Sequence, residues 1–244
     1  MSRESRYYRA HSIVLRTYKL GEADRVVVLI TPERGMVRAV AKGVRKTKSK
    51  FGSRLEPMSH VALQIHEGRG ELHLITQVET VDHFRAVRED LDRLAKAMAM
   101  LEAVDQVALP GEPAPELYRM LLGALRTLAA NDTPLVTAGF FLKLLTLEGA
   151  GPQVERCVSC GETSPLVAFS EMDGGLVCRD HRRGIGVSDA AVRLLQSILG
   201  GQLGSALNEP PGPATAEVAS LATHALEHFL ERRMKTTQSL PTGG

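Results

Sequence analysis

The sequence predicts an α+β, multi-domain chain: a small β-barrel first, then helices interrupted by a zinc-ribbon-like hairpin. Three observations carry this. Residues 1–80 hold about five β-branched or alternating runs separated by turn residues. From residue 81 apolar residues recur at steps of three and four, the period of a helix. Between residues 152 and 186 two pairs of metal-ligand residues, Cys157-x-x-Cys160 and Cys178-x-x-His181, flank a turn.

The first strand is read over His11–Leu20, where Ile13, Val14 and Leu15 give a β-prone start. Asp24–Thr31 is a β-branched run, and Pro32-Glu33-Arg34-Gly35 is turn chemistry before a third strand, MVRAVA. A fourth strand alternates Val61, Leu63 and Ile65 with polar or small residues; after Gly68-Arg69-Gly70 a fifth carries Leu72 and Leu74. Five short strands with a long connection between the third and fourth suit an OB-fold barrel over residues 1–80. An SH3-like barrel is the alternative.

That long connection is the most basic stretch of the chain. Ala41–Arg54 reads AKGVRKTKSKFGSR, with Lys42, Arg45, Lys46, Lys48, Lys50 and Arg54 and no acid. With Arg34 and Arg38 this makes eight cations in 21 residues, again without an acid between them. Residues 1–80 carry 15 Lys+Arg against 8 Asp+Glu, whereas the rest carries 15 against 20. Such an asymmetry within a net +2 chain points to an anionic partner for the first part. Fixed cations suit phosphates, because each neutralised phosphate releases counterions. Arg34, Arg38, Lys42, Arg45, Lys46, Lys48, Lys50 and Arg54 are therefore the candidate nucleic-acid-binding residues. Gly43 and Gly52 permit close backbone approach. Tyr7, Tyr8, Tyr18 and Phe51 are candidate stacking surfaces for unpaired bases, although Tyr18, inside a strand, reads as core before platform.

Residues 81–244 form the second expected domain, helical. Phe84, Val87, Leu91, Leu94, Met98 and Leu101 mark one helix, stopped by Pro110-Gly111-Glu112-Pro113. Leu117–Leu128 marks a second. Leu135–Gly149 is apolar on nearly every side and reads as a buried central helix, with Phe140 and Phe141 as core. Ser188 caps a helix through Val192, Leu195 and Leu199, and a last helix carries Val218, Leu221, Ala222, Ala225, Phe229 and Leu230. His224 and His228, four apart, read as a polar helix face. The closing TTQSLPTGG reads as disordered.

The insert over residues 152–186 sets Cys157, Cys160, Cys178 and His181 on either side of the turn Asp173-Gly174-Gly175. Two ligand pairs on the ends of a hairpin can close a tetrahedron around one Zn2+. Three thiolates and an imidazole leave no open position, so the ion is read as structural. Asp180 or a water competes with His181 for the fourth position, and a ribbon that has lost its metal is the other possibility. Arg179, Arg182 and Arg183 either soften thiolate charge or add a phosphate-binding patch.

No P-loop, dinucleotide fingerprint, nucleophile elbow or H-E-x-x-H motif is found. The cysteine pairs lack the H-x-E partner of a zinc deaminase. A binding protein is expected, not an enzyme. Three cysteines, two in a C-x-x-C pair, fit a reducing compartment, and the charged N-terminus lacks an apolar signal core, so a cytoplasmic location is expected.

The order of these parts resembles the RecO family of bacterial DNA repair and recombination proteins. The resemblance rests on Tyr18…Glu22-x-Asp24, Thr31-Pro32-Glu33-Arg34-Gly35, and Lys42-Gly43-x-Arg45-Lys46-x-Lys48-Ser49. It continues through Phe140-Phe141, Leu144-Leu145 and Glu148-Gly149-x-Gly151-Pro152 to the C-x-x-C, over nearly the whole chain. It implies binding of single- and double-stranded DNA and annealing of complementary strands without ATP. It further implies work with RecR and RecF to load RecA on DNA coated by the single-strand-binding protein SSB, whose C-terminal tail contacts the helical domain, and association with the nucleoid during repair. Relatives that keep the metal site usually have a fourth cysteine where His181 stands, and some lack the site, so zinc would support the fold without being essential to activity. The competing class is an RNA-binding or ribosome-associated zinc-ribbon protein.

Overall fold

The computed structural model describes residues 6–46, 49, 51–163, 165–231 and 234. The chain divides into two compact units, residues 1–126 and 127–244.

The first unit opens with β1 (Tyr7–Leu20), β2 (Asp24–Thr31), β3 (Gly35–Ala41), β4 (His60–His66) and β5 (Leu72–Asp82). They close a barrel in the order β1-β2-β3-β5-β4, with β3 and β5 parallel and the other pairs antiparallel. This is the five-stranded Greek-key barrel of the OB type. Strand β1 starts earlier than the sequence signals, at Tyr7, because it serves two neighbours. Its first half pairs with β4 from Tyr7↔His66 to Ile13↔His60, and its second half pairs with β2 down to Leu20↔Asp24. A register shift between Val14 and Arg16 turns the corner between them.

Alternation sends Val27, Leu29, Val37, Ala39, Val61, Leu63 and Ile65 into the barrel interior. The connection from β3 to β4 contributes a 3-10 turn, Gly52–Leu55, and Phe51 and Leu55 join the barrel core. Phe51 is 1 % exposed, so it is a plug and not a stacking surface. Its neighbours in sequence are all polar or glycine, and nothing local reveals that the ring turns inward.

One helix was expected from Phe84 to Leu101; there are two, α1 (Arg85–Arg88) and α2 (Leu91–Val107). Asp90 separates them by capping α2, its carboxylate accepting from the Asp92 and Arg93 amides at 2.9 and 3.1 Å. Helix α2 lies against β1, where Arg16 Nε donates to Asp105 at 2.6 Å. Helix α3 (Pro115–Ala130) follows a segment that hydrogen-bonds the β2–β3 turn: Met36 N to Leu109 O, Gly111 N to Arg34 O, Ala114 N to Pro32 O. Gly35 is required there. Its φ is +55°, and a Cβ would collide with the carbonyl oxygens of Glu112 and Leu109. Tyr118 Oη and buried His60 Nε2 meet at 2.7 Å, tying α3 to β4.

In the second unit the central helix is α4 (Val136–Leu147), which packs on α7 (Pro213–Phe229); α7 also packs on α5 (Asp189–Leu199). Phe140 and Phe141 are buried in this core, as read. The insert forms β6 (Leu166–Ser170), β7 (Gly175–Cys178) and a short β8 (Ile185–Gly186), in the order β7-β6-β8. A short α6 (Leu203–Ala206) precedes α7. Among the described residues no helix is long and apolar enough to cross a membrane.

Candidate nucleic-acid interface and metal centre

The basic loop leaves β3 at Lys42 and is fastened at once to the β1–β2 turn. Gly43 N donates to Asp24 Oδ1 at 2.7 Å, Arg45 N to Ala23 O at 3.0 Å, and Arg45 Nη1 to Glu22 O at 2.8 Å. Gly43 takes φ +67°, a conformation that favours glycine. Further on, Phe51 and Leu55 hold the loop in the barrel core. The loop is thus anchored by backbone amides, by apolar residues and by one guanidinium, that of Arg45, on a neutral carbonyl.

Lys42, Arg45, Lys46 and Arg54 are exposed, and among the described residues none has a carboxylate partner. Arg54 reaches only the Val78 carbonyl, at 3.4 Å. The two upstream arginines differ. Arg34 pairs with Glu67 at 3.2 Å and lies 4.0 Å from the Tyr8 ring centroid; Arg38 pairs with Glu71 at 3.5 Å. Their charge is partly met within the barrel. Lys48 and Lys50 lie outside the described residues.

The tyrosines also separate. Tyr8 is partly buried beneath Arg34 and against the barrel core. Tyr7 is exposed and meets the His66 ring edge-on, with centroids 4.7 Å apart. Tyr18 is 42 % exposed, which overturns its reading as core. It belongs to the outward-facing set of β1, near the β1–β2 turn.

In the insert, Cys157, Cys160, Cys178 and His181 converge, their ligand atoms all within 4.8 Å of one another. Cys157 and Cys160 flank a tight turn closed by Gly161 N to Cys157 O at 2.9 Å, with Gly161 at φ +81°. Cys178 ends β7, and a 3-10 turn over Arg179–His181 brings His181 Nδ1 to 3.3 Å from Cys178 Sγ. Cys160 Sγ lies 3.7 Å from Cys178 Sγ. A tetrahedral zinc site with Zn–S of about 2.3 Å and Zn–N of about 2.0–2.1 Å has ligand–ligand edges of roughly 3.5–3.8 Å. The Cys160–Cys178 separation of 3.7 Å falls within that size, and the Cys178–His181 separation of 3.3 Å lies just below it. Burial pushes the Cys157 thiol up, but backbone hydrogen bonds from Cys178, Ser159 and Cys160 outweigh it and bring the pKa down to about 6. It is therefore ready to serve as a thiolate ligand. It is His181 that stands with the three cysteines in this cluster, and Asp180 is not among the converging groups.

Arg183 is engaged within the insert. Its guanidinium bridges Asp173 (2.5 Å), Ser159 Oγ (2.8 Å) and the His181 carbonyl (3.3 Å), bracing the hairpin turn against both ligand pairs. The Asp173 carboxyl, bonded by Arg183 and then Ser170, is held down to about 2. Gly175 lets the strands close: a Cβ there would strike the Gln153 carbonyl and the Val158 side chain.

Two family models match this chain almost end to end, Recombination protein O N terminal over residues 2–84 and Recombination protein O C terminal over residues 88–238. The chain belongs to the recombination protein O (RecO) family. RecO proteins are DNA-binding mediators of repair and recombination, and the OB barrel and the Cys3His cluster fit that assignment. Within this RecO barrel, sequence reasoning missed what Glu22 and Asp24 do. They appear as part of a motif before β2, yet they supply the acceptors that hold the basic loop nearly 20 residues later. Only Asp24 acts through its carboxylate; Glu22 offers its backbone carbonyl, which no side-chain pattern marks, and the partners of both are distant in sequence.

Proposed function

We propose that this chain binds single- and double-stranded DNA without reading sequence, and brings complementary strands together without ATP. With RecR and RecF it then helps load RecA on DNA coated by SSB. In this reading residues 1–80 grip DNA, and residues 81–244 carry the protein contacts, including that to the SSB C-terminal tail. The insert over residues 152–186 holds one structural Zn2+ on Cys157, Cys160, Cys178 and His181. The ion would neutralise three converging thiolates and replace the apolar core that so small a hairpin lacks. The chain acts by binding and not by catalysis, and it works in the cytoplasm at the nucleoid.

The observation that carries the reading is the set of exposed cations, Lys42, Arg45, Lys46 and Arg54, none of them with a carboxylate partner among the described residues. Annealing brings two polyanions together, and fixed cations on both remove the repulsion between them. Arg34 and Arg38, with Lys48 and Lys50, extend the field. The test is strand annealing by the full chain with Arg45 and Lys46 reversed to Glu. A severalfold slower annealing rate is expected, and a rate equal to wild type rejects the reading.

A further inference from the structure

The outer face of the barrel carries a second kind of surface beside the basic loop. Pairing sets Tyr18 opposite Val26, Val26 opposite Val40, and Val40 opposite Leu74. The next row is Arg16, Val28, Arg38 and Leu72. Residues paired in this way share one face of a sheet, and this face is the reverse of the core set of Val27, Val37 and Ala39. Tyr18, Leu20 and Leu72 are 42 %, 39 % and 42 % exposed, while Val26 and Val28 beneath them are buried. The exposed groups are large and apolar, and one of them, Leu20, pairs with the Asp24 that holds the basic loop.

Tyr18 is also held in place. The Arg16 guanidinium carbon lies 5.6 Å from its ring centroid, and Arg16 is itself fixed by Asp105 at 2.6 Å. Tyr18 stands two residues, about 7 Å along the strand, from Leu20, which pairs with Asp24. Asp24 is the residue that receives the Gly43 amide of the basic loop. The exposed, oriented ring of Tyr18 and the attachment point of the basic loop therefore lie at the same end of the barrel.

From this juxtaposition we infer that Tyr18 is a stacking platform for an unpaired base, and that it gives the barrel a preference for single strands over duplex. The inference rests on the DNA-binding reading above and adds the form of the ligand. Every base offers a π-face, so the contact is tolerant of sequence. In a duplex those faces are already stacked on one another, and the ring gains little. The occupant is a base and not an apolar protein segment, because cations flank the patch and a guanidinium already lies against the ring.

The experiment compares wild type, Tyr18→Ala and Tyr18→Phe in the full chain on three probes: oligo(dT), a duplex of equal length, and an abasic strand of equal charge. Tyr18→Ala should weaken oligo(dT) binding about tenfold, leave duplex affinity within about twofold, and match wild type on the abasic strand. Tyr18→Phe should retain the wild-type affinity. The chain has four tyrosines and no tryptophan, so strand-induced quenching of tyrosine emission should also shrink in Tyr18→Phe while affinity is kept. An equal loss on all three probes, or no loss on oligo(dT), overturns the inference. Unchanged DNA binding with loss of a protein partner would assign the face to protein and overturn it as well. Failure of wild type to bind any strand would instead defeat the DNA-binding reading itself.

Discussion

Neutralising the basic loop should change how DNA affinity responds to salt, by an amount that follows from counting side chains. Lys42, Arg45 and Lys46 are exposed, and among the described residues none has a carboxylate partner. The triple variant Lys42→Gln, Arg45→Gln, Lys46→Gln removes three charges. It keeps the backbone bonds that hold the loop, Gly43 N to Asp24 and Arg45 N to Ala23 O, and gives up the one from Arg45 Nη1 to the Glu22 carbonyl. If each cation neutralises one phosphate, the slope of log K against log salt should become shallower by about 2 for a single strand and by nearly 3 for duplex. Between about 50 and about 200 mM salt the wild-type affinity should then fall roughly twentyfold further than that of the variant on a single strand. Fluorescence anisotropy with a labelled oligonucleotide at four or more salt concentrations measures both slopes. Arg85→Gln is the control, because its side chain is 85 % exposed but lies on α1 and pairs with Glu89 at 2.6 Å. A triple variant with the wild-type slope would show the loop to be merely solvated, and the site assignment would fall.

Two further outcomes follow from the rest of the chain. Native mass spectrometry should find one zinc ion per chain, and chelation or Cys178→Ser should remove amide-exchange protection over residues 153–187 while the barrel strands keep theirs; protection that survives metal removal would refute a structural ion. His60 sets a pH dependence. Burial, with His11 and Arg126 nearby and Asp82 opposing them, holds its imidazole below the ordinary value. The unfolded chain therefore takes up the proton first, so stability is fully present above about pH 6.5 and declines as pH falls below it. The urea midpoint should drop between about pH 7.5 and about pH 5.5, and His60→Gln should show a smaller drop; an equal drop would remove His60 as a cause.

The barrel was legible because alternation and turn residues are local. Val61, Leu63 and Ile65 alternate in the sequence and line the core in the structure. The Cys3His cluster was legible for the same reason, since two cysteine or histidine pairs and a glycine turn define a hairpin. What escaped the sequence depends on contacts between distant segments. Phe51 sits among polar residues and reads as a surface ring, yet it plugs the barrel because five strands leave an open end that needs filling. Tyr18 sits at a strand position and reads as core, yet that end of the outer face stays open to solvent. Whether a strand face is covered is decided by what else packs there, and near Ile30 and Met36 it is the segment around Leu109 and Pro110 that does so.

The division of labour among the acids explains how a basic loop can be both anchored and strongly charged. A loop with this many cations would be held most simply by ion pairs to nearby carboxylates, and such pairs would cancel the field that phosphates need. Here Asp24 receives a backbone amide, and Glu22 and Ala23 offer their carbonyls. Arg45 is held by a neutral oxygen and keeps its full charge. Arg34 and Arg38, which do pair with Glu67 and Glu71, are the arginines that lie within or next to the strands, where a fixed side chain matters more than a free charge. Apart from the Arg45 guanidinium, the order of the loop and its electrostatic potential thus come from different atoms, and a substitution can alter one without the other. Asp24→Asn makes the distinction: it keeps an acceptor for the Gly43 amide and raises the local positive potential, so the loop should stay in place while its field grows.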